Sequence, residues 1–203
     1  LKWFRDNFCG AEKDTAALMD VDEYYLMDKE AETVPIGAER LLYLPYLMGE
    51  RTPHLDPDAR GVFFGLSAMH TKKHMLRAVM EGVAYSLRDC VEVFREMGIN
   101  VSDMMACGGG GTSPLWRSML ADLYGCEVKT PASKEGPALG AALLASVGAG
   151  IYGSVPEAVK AVVRTDKVCQ PDSSRMERYD EFYSLYREIY PALKDSFSRL
   201  ATL

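Results

Sequence analysis

Apolar side chains recur every three to four residues between Thr71 and Gly98: Leu76, Val79, Met80, Val83, Ala84, Leu87, Val91 and Phe94. That spacing puts them on one face of a long helix, and Gly98 is a natural C-terminal stop. A second stripe runs through Met176, Tyr179, Phe182, Tyr183, Tyr186, Ile189, Leu193, Phe197 and Leu200. It predicts a core-facing helix over Ser174 to Leu200, kinked at Pro191. Residues 1–32 also read as helical. Trp3, Phe4 and Phe8 form an apolar group there, Leu18, Val21, Tyr25 and Leu26 lie among acids, and Pro35 and Gly37 end the region. Shorter helices are predicted over Leu115–Tyr124, Pro137–Ala145 and Val155–Val163. Ala138, Gly140, Ala141, Ala142 and Ala145 let the second of these lie very close to a neighbour, at a hinge or in ordinary tight packing.

Between the helices lie short apolar runs that read as strands: Leu41–Leu47 with an end or bend at Pro45, Gly61–Leu66, a buried Met104–Cys107, Cys126–Thr130 closed by Pro131, and Val168–Pro171. The first two enclose the long polar loop Met48–Gly61 in a hairpin-like unit. That loop is either functional or a solvated connector held by its own Glu–Arg and Asp–Arg pairs. A further loop spans Ala132–Gly136. Strands and helices alternate through the middle of the chain, which argues for an α/β fold without internal repeat or domain boundary.

Composition narrows the function. The 203 residues are 48% hydrophobic and 26% charged, with a formal net charge of −6. That charge argues against a nucleic-acid or membrane-surface role. No apolar run reaches the roughly 20 residues of a membrane-spanning helix, and no signal-peptide pattern opens the chain. Five scattered cysteines, Cys9, Cys90, Cys107, Cys126 and Cys169, fit reduced, mostly buried thiols in a cytoplasm. The chain begins at Leu1 rather than Met, and is expected to be a fragment or a processed piece.

The chemistry centres on Ala106-Cys107-Gly108-Gly109-Gly110-Gly111-Thr112-Ser113-Pro114. It spells strand, glycine turn, helix start. Ser113 is a favoured N-cap and Pro114 suits the first helical position. Glycines let a ligand approach the backbone, and a helix start offers unpaired N–H groups. The same residues equally describe a tight turn with no ligand. His70 and His74 stand four apart, as two metal ligands on a helix could, but no third ligand is near; solvated or capping histidines are expected.

Gly61-Val62-Phe63-Phe64-Gly65-Leu66, followed after seven residues by His74-Met75-Leu76-Arg77-Ala78-Val79-Met80-Glu81, resembles a signature of the FGGY carbohydrate kinases. The stretch from Pro45 through Gly49-Glu50-Arg51-Thr52-Pro53-His54 to Gly61 is similar to the corresponding loop of the family's pentulose kinases. Gly108-Gly109-Gly110 with Ser113-Pro114-Leu115-Trp116-Arg117 resembles the family's adenosine motif, and Ala138-Leu139-Gly140-Ala141-Ala142 its interdomain helix.

The resemblance implies an actin-like, ribonuclease H-like α/β domain spanning residues 1–203, the second of two. Its partners would be its own N-terminal domain and a pentulose such as D-xylulose, with a homodimer possible. ATP and Mg²⁺ are the implied cofactors, the metal held mainly by the other domain and the nucleotide. Gly109 and Gly110 would lie against the adenosine, Gly108 would shape the turn, and Ser113 would face the nucleotide or cap its helix. Ser118 stands where many relatives have Gln. The Glu50–Thr52 loop would sit near the cleft in a structural role. The family's Asp-x-Gly-Thr phosphate loop is missing here. Asp14, Asp20 and Asp103 lie in segments unlike the surroundings of the family's base, so no catalytic or metal-binding residue is assigned and the chain alone is expected to be inactive. Alternatives are a gluconate or deoxy-sugar kinase, a non-catalytic actin-like nucleotide-binding module, or a structural α/β domain.

Overall fold

A computed structural model describes residues 1–133 and 136–203. Three helices open the chain: α1 (Lys2–Phe8), α2 (Gly10–Met19) and α3 (Glu23–Glu32). Asp22 starts α3 by accepting the Tyr24 N–H. The hairpin-like unit follows as β1 (Leu42–Leu44) paired antiparallel with β2 (Val62–Phe64), Tyr43 opposite Phe63. Both strands are shorter than their apolar runs suggest. Helix α4 (Lys72–Glu96) comes next. Thr71 and His74 cap it reciprocally, the His74 ring accepting the Thr71 N–H at 3.0 Å. His70 is likewise engaged, with Ser67 N–H and the Glu39 carbonyl.

The second half is β3 (Asp103–Met105), the short α5 (Gly109–Thr112), α6 (Pro114–Tyr124), β4 (Glu127–Pro131), α7 (Gly136–Gly148), α8 (Val155–Val162), β5 (Thr165–Cys169) and α9 (Ser173–Leu200). β4 is central, parallel to β3 and antiparallel to β5. The expected buried strand Met104–Cys107 is corrected to Asp103–Met105, with Asp103 and Met105 exposed. As an edge strand it is covered on one face only, and Asp103 instead pairs with Lys129 at 2.6 Å. The 134–135 part of the Ala132–Gly136 loop lies outside the described residues.

One core joins α4, α6, α9, β1 and β4. α4 delivers Leu76, Val79, Met80, Ala84 and Val91 to it, but Leu87 and Phe94 are exposed. α9 runs unbroken through Pro191 and contributes Tyr179, Phe182, Tyr183, Tyr186, Ile189, Tyr190 and Phe197; Leu200, counted on that stripe, is exposed. α7 and α8 pack on each other outside this core, and Leu143 is the buried residue of α7. The cysteines are free, yet only Cys9 and Cys126 are buried and Cys107 is exposed, a correction to the mostly buried set.

Gly82, the residue after the run His74–Glu81, packs its backbone against β1: a Cβ there would stand 2.1 Å from the Tyr43 carbonyl oxygen. Even alanine at Gly82 should therefore push α4 off β1 and destabilise the fold by about 1–3 kcal/mol or more, as chemical denaturation would read. Full stability in that variant would show that α4 can slide freely on the strand.

Candidate functional site

The four glycines do three different jobs. Gly108 is the N-cap of α5 at φ +74°, a conformation that favours glycine. Gly111 is buried, and an added Cβ would lie 2.4 Å from the Ala106 carbonyl oxygen. Gly109 and Gly110 carry neither demand. A Cβ on Gly109 meets no atom within 4 Å, and one on Gly110 meets the Trp116 ring at an ordinary 3.4 Å. The expected plain turn is also corrected: residues Gly109–Thr112 form a helical turn of their own before α6 begins.

Gly109 and Gly110 line a pocket of about 360 Å³ to which α3 contributes Tyr24, Tyr25 and Asp28. Ser113, with Pro114 and Trp116 of α6, completes that part of the lining. Ser113 caps that helix, its hydroxyl oxygen accepting the Trp116 N–H at 3.0 Å. The Asp28 carboxyl lies close enough to that hydroxyl to be influenced by it. Burial raises Asp28 above the ordinary carboxylate value; the Ser113 hydroxyl opposes that rise and Glu32 adds to it. Arg117 fixes the junction from beneath, donating to the carbonyls of Gly111 and Thr112 (2.9 Å to the latter).

Of the residues singled out in the sequence, Gly109, Gly110 and Ser113 meet in this pocket, while Gly108, the N-cap of α5, is not among its lining residues. Asp28, Tyr24 and Tyr25 carried no such signal. They sit about 80 residues earlier in a helix of ordinary acidic character, and only the tertiary fold brings them across from the glycines. Ser118 lies elsewhere, receiving a hydrogen bond from Arg175 at 3.3 Å beside the buried Asp122.

The Met48–Gly61 loop lines a different hollow, of about 200 Å³, where His54 stacks on Tyr190 at 3.9 Å. Burial lowers the His54 pKa. Backbone contacts rather than Glu–Arg or Asp–Arg pairs hold the loop: Glu50 accepts the Thr52 N–H, and Arg60 donates to the Pro57 and Ala59 carbonyls. Asp56 accepts from Asp58 N–H, Ala59 N–H and the Tyr190 hydroxyl. The third notable hollow, about 610 Å³, lies against Glu12, Glu30 and Lys72, where Lys72 pairs with Glu12. Among the described residues no group of three or more His, Cys, Asp or Glu could hold a metal ion.

The fold defines the class first: this is an actin-like α/β domain of the kind that sugar kinases carry. Residues 1–149 match the C-terminal domain of the FGGY family of carbohydrate kinases, and the chain belongs to that family. It is 38% identical over 195 residues to the xylulose kinase of Bacillus subtilis (strain 168), covering 96% of this chain and 37% of that protein. It is 36% identical over 202 residues to the gluconokinase of Bacillus licheniformis, covering 99% of this chain and 39% of that protein. The crystal structure of ligand-bound xylulose kinase from Lactobacillus acidophilus superposes with a TM-score of 0.80 at 31% identity, over 94% of this chain and 39% of that one. The chain thus spans well under half the length of these relatives.

Proposed function

We propose that this chain is the nucleotide-binding C-terminal domain, residues 1–203, of an ATP-dependent sugar kinase, and that the sugar is D-xylulose, phosphorylated at its 5-hydroxyl. The observation that carries the nucleotide half is the openness at Gly109 and Gly110. These glycines are required by neither backbone conformation nor protein packing, yet they form the wall of a pocket of adenosine size. ATP bound there supplies the γ-phosphoryl group. Gly109 and Gly110 let base and ribose reach the backbone, Tyr24 and Tyr25 offer apolar rings, and Ser113 with Asp28 forms a polar edge.

The phosphate loop, the Mg²⁺-linked acid and the base that takes the sugar proton are assigned to an N-terminal domain. Among the described residues none is assigned to those functions, and the chain is expected to be inactive by itself. The Gly49–His54 resemblance supports xylulose. A gluconokinase relative aligned over 99% of the chain keeps gluconate as the second reading.

A coupled assay of the two-domain enzyme against pentuloses, gluconate and deoxy-sugars tests the assignment. Selective turnover of D-xylulose is expected. Selective turnover of gluconate would replace the substrate and keep the nucleotide site. No turnover of any sugar by folded protein would favour a nucleotide-binding module that does no chemistry.

A further inference from the structure

We propose that Asp28 reads the nucleobase: its carboxyl, in the pocket that Gly109 and Gly110 also line, accepts a hydrogen bond from the exocyclic amino group of adenine and selects 6-aminopurine over 6-oxopurine nucleotides. This rests on the nucleotide reading of the pocket and names what the site recognises within it.

The chemistry of the lining sets the preference. The Ser113 hydroxyl oxygen is an acceptor here, taking the Trp116 N–H at 3.0 Å. An ionised carboxylate only accepts, with about four acceptor sites on its two oxygens. Asp28 is half-buried in the pocket that it lines. The group that satisfies it is a donor. Adenine offers N6–H₂, whereas a 6-oxopurine offers an oxygen, which a carboxylate repels.

The charge of the lining supports the same orientation. Asp22 and Asp28 line the pocket, and no Lys or Arg does among the described residues. Such an acidic hollow repels a polyphosphate and suits the uncharged base, leaving the phosphates to extend away from α3. Tyr25, exposed on α3 one helical turn from Asp28, provides a ring against which a planar base can lie.

The test is a base-preference measurement on the two-domain enzyme: kcat/KM for MgATP and MgITP at saturating sugar, in the native protein, Asp28→Ala, Asp28→Asn and Gly109→Val. The native enzyme is expected to prefer ATP. Asp28→Ala should lower kcat/KM for ATP about tenfold or more, the size of a lost hydrogen bond to a charged group, while ITP changes little and the preference collapses. Asp28→Asn keeps the side-chain shape but can turn an N–H toward O6, so its ITP:ATP ratio should exceed that of Asp28→Ala. An equal fall for both nucleotides, or an unchanged ratio, would overturn the role of Asp28. If Gly109→Val still raised the KM for ATP, the pocket would remain the nucleotide site and only base reading would fall. If Gly109→Val were silent as well, the nucleotide assignment itself would fall.

Discussion

Gly109→Val is expected to raise the KM for ATP at least about tenfold while leaving folding stability nearly unchanged, and Gly111→Val to do the reverse, losing about 1–3 kcal/mol or more of stability. The two positions are separated by one residue, and the contrast comes from what surrounds them. At Gly109 a Cβ meets nothing within 4 Å, and in the helical turn of α5 valine is a slightly better residue than glycine. Its branched side chain would fill space that only a ligand uses. At Gly111 the Cβ would stand 2.4 Å from the oxygen and 3.1 Å from the carbon of the Ala106 carbonyl. That carbonyl cannot move away cheaply, because the Ala106 N–H is bound to the Lys129 carbonyl at 2.7 Å, extending the β3–β4 pairing. Denaturation curves measured beside ATP kinetics separate the two effects. Equal destabilisation of both variants with unchanged KM would remove the pocket from the nucleotide site.

The sequence made the local parts of this site readable and left the long-range parts out of view. Ser113 and Pro114 announce a helix start because capping is a matter of four consecutive residues, and Ser113 does accept the Trp116 N–H. The face of α4 was legible for the same reason: a helix imposes its period on its own residues. What distinguishes Gly111 from Gly109 is the position of one carbonyl on a neighbouring strand, which glycine spacing does not encode. The role of α3 was hidden more completely, since Asp28 and Ser113 line one pocket from positions 85 residues apart. The polar Met48–Gly61 loop misled differently. Its acids and arginines look made for one another, yet Asp56 is anchored by Tyr190, 134 residues away, and Arg60 by nearby carbonyls. Charge alternation says what could pair, while burial and reach decide what does.

The strongest local resemblance, the run through Arg77 and Glu81, turns out to be structural, and its removal should show a particular pH signature. Glu81 is 1% exposed. It accepts from Arg77 Nε at 2.7 Å and from the Gly37 N–H at 3.1 and 3.2 Å. Arg77, equally enclosed, also donates to the Tyr179 hydroxyl at 2.9 Å and toward the Ala31 carbonyl. One ion pair therefore ties α4 to α3, to the turn before β1 and to α9. Burial raises the Glu81 carboxyl, and Arg77 and Gly37 pull it back only in part. Arg77→Met takes away the larger of those opposing influences and should cost about 3–5 kcal/mol at neutral pH, because a buried charge loses its partner.

The sign of the pH dependence follows. With Arg77 gone, the folded-state pKa of Glu81 climbs further above the unfolded value of about 4.3, so the folded protein binds the extra proton. The variant's stability is then fullest below that unfolded value and falls as pH rises toward the folded one. Arg77→Met should accordingly lose stability, relative to the native protein, as pH rises above that unfolded value. Arg77→Met/Glu81→Gln should recover part of the loss at the upper end and flatten the slope, since the carboxyl whose titration produced it is gone. A flat profile for Arg77→Met alone would mean that the Glu81 carboxylate finds water or another donor once Arg77 is removed, and that this junction of three helices opens more readily than its packing indicates.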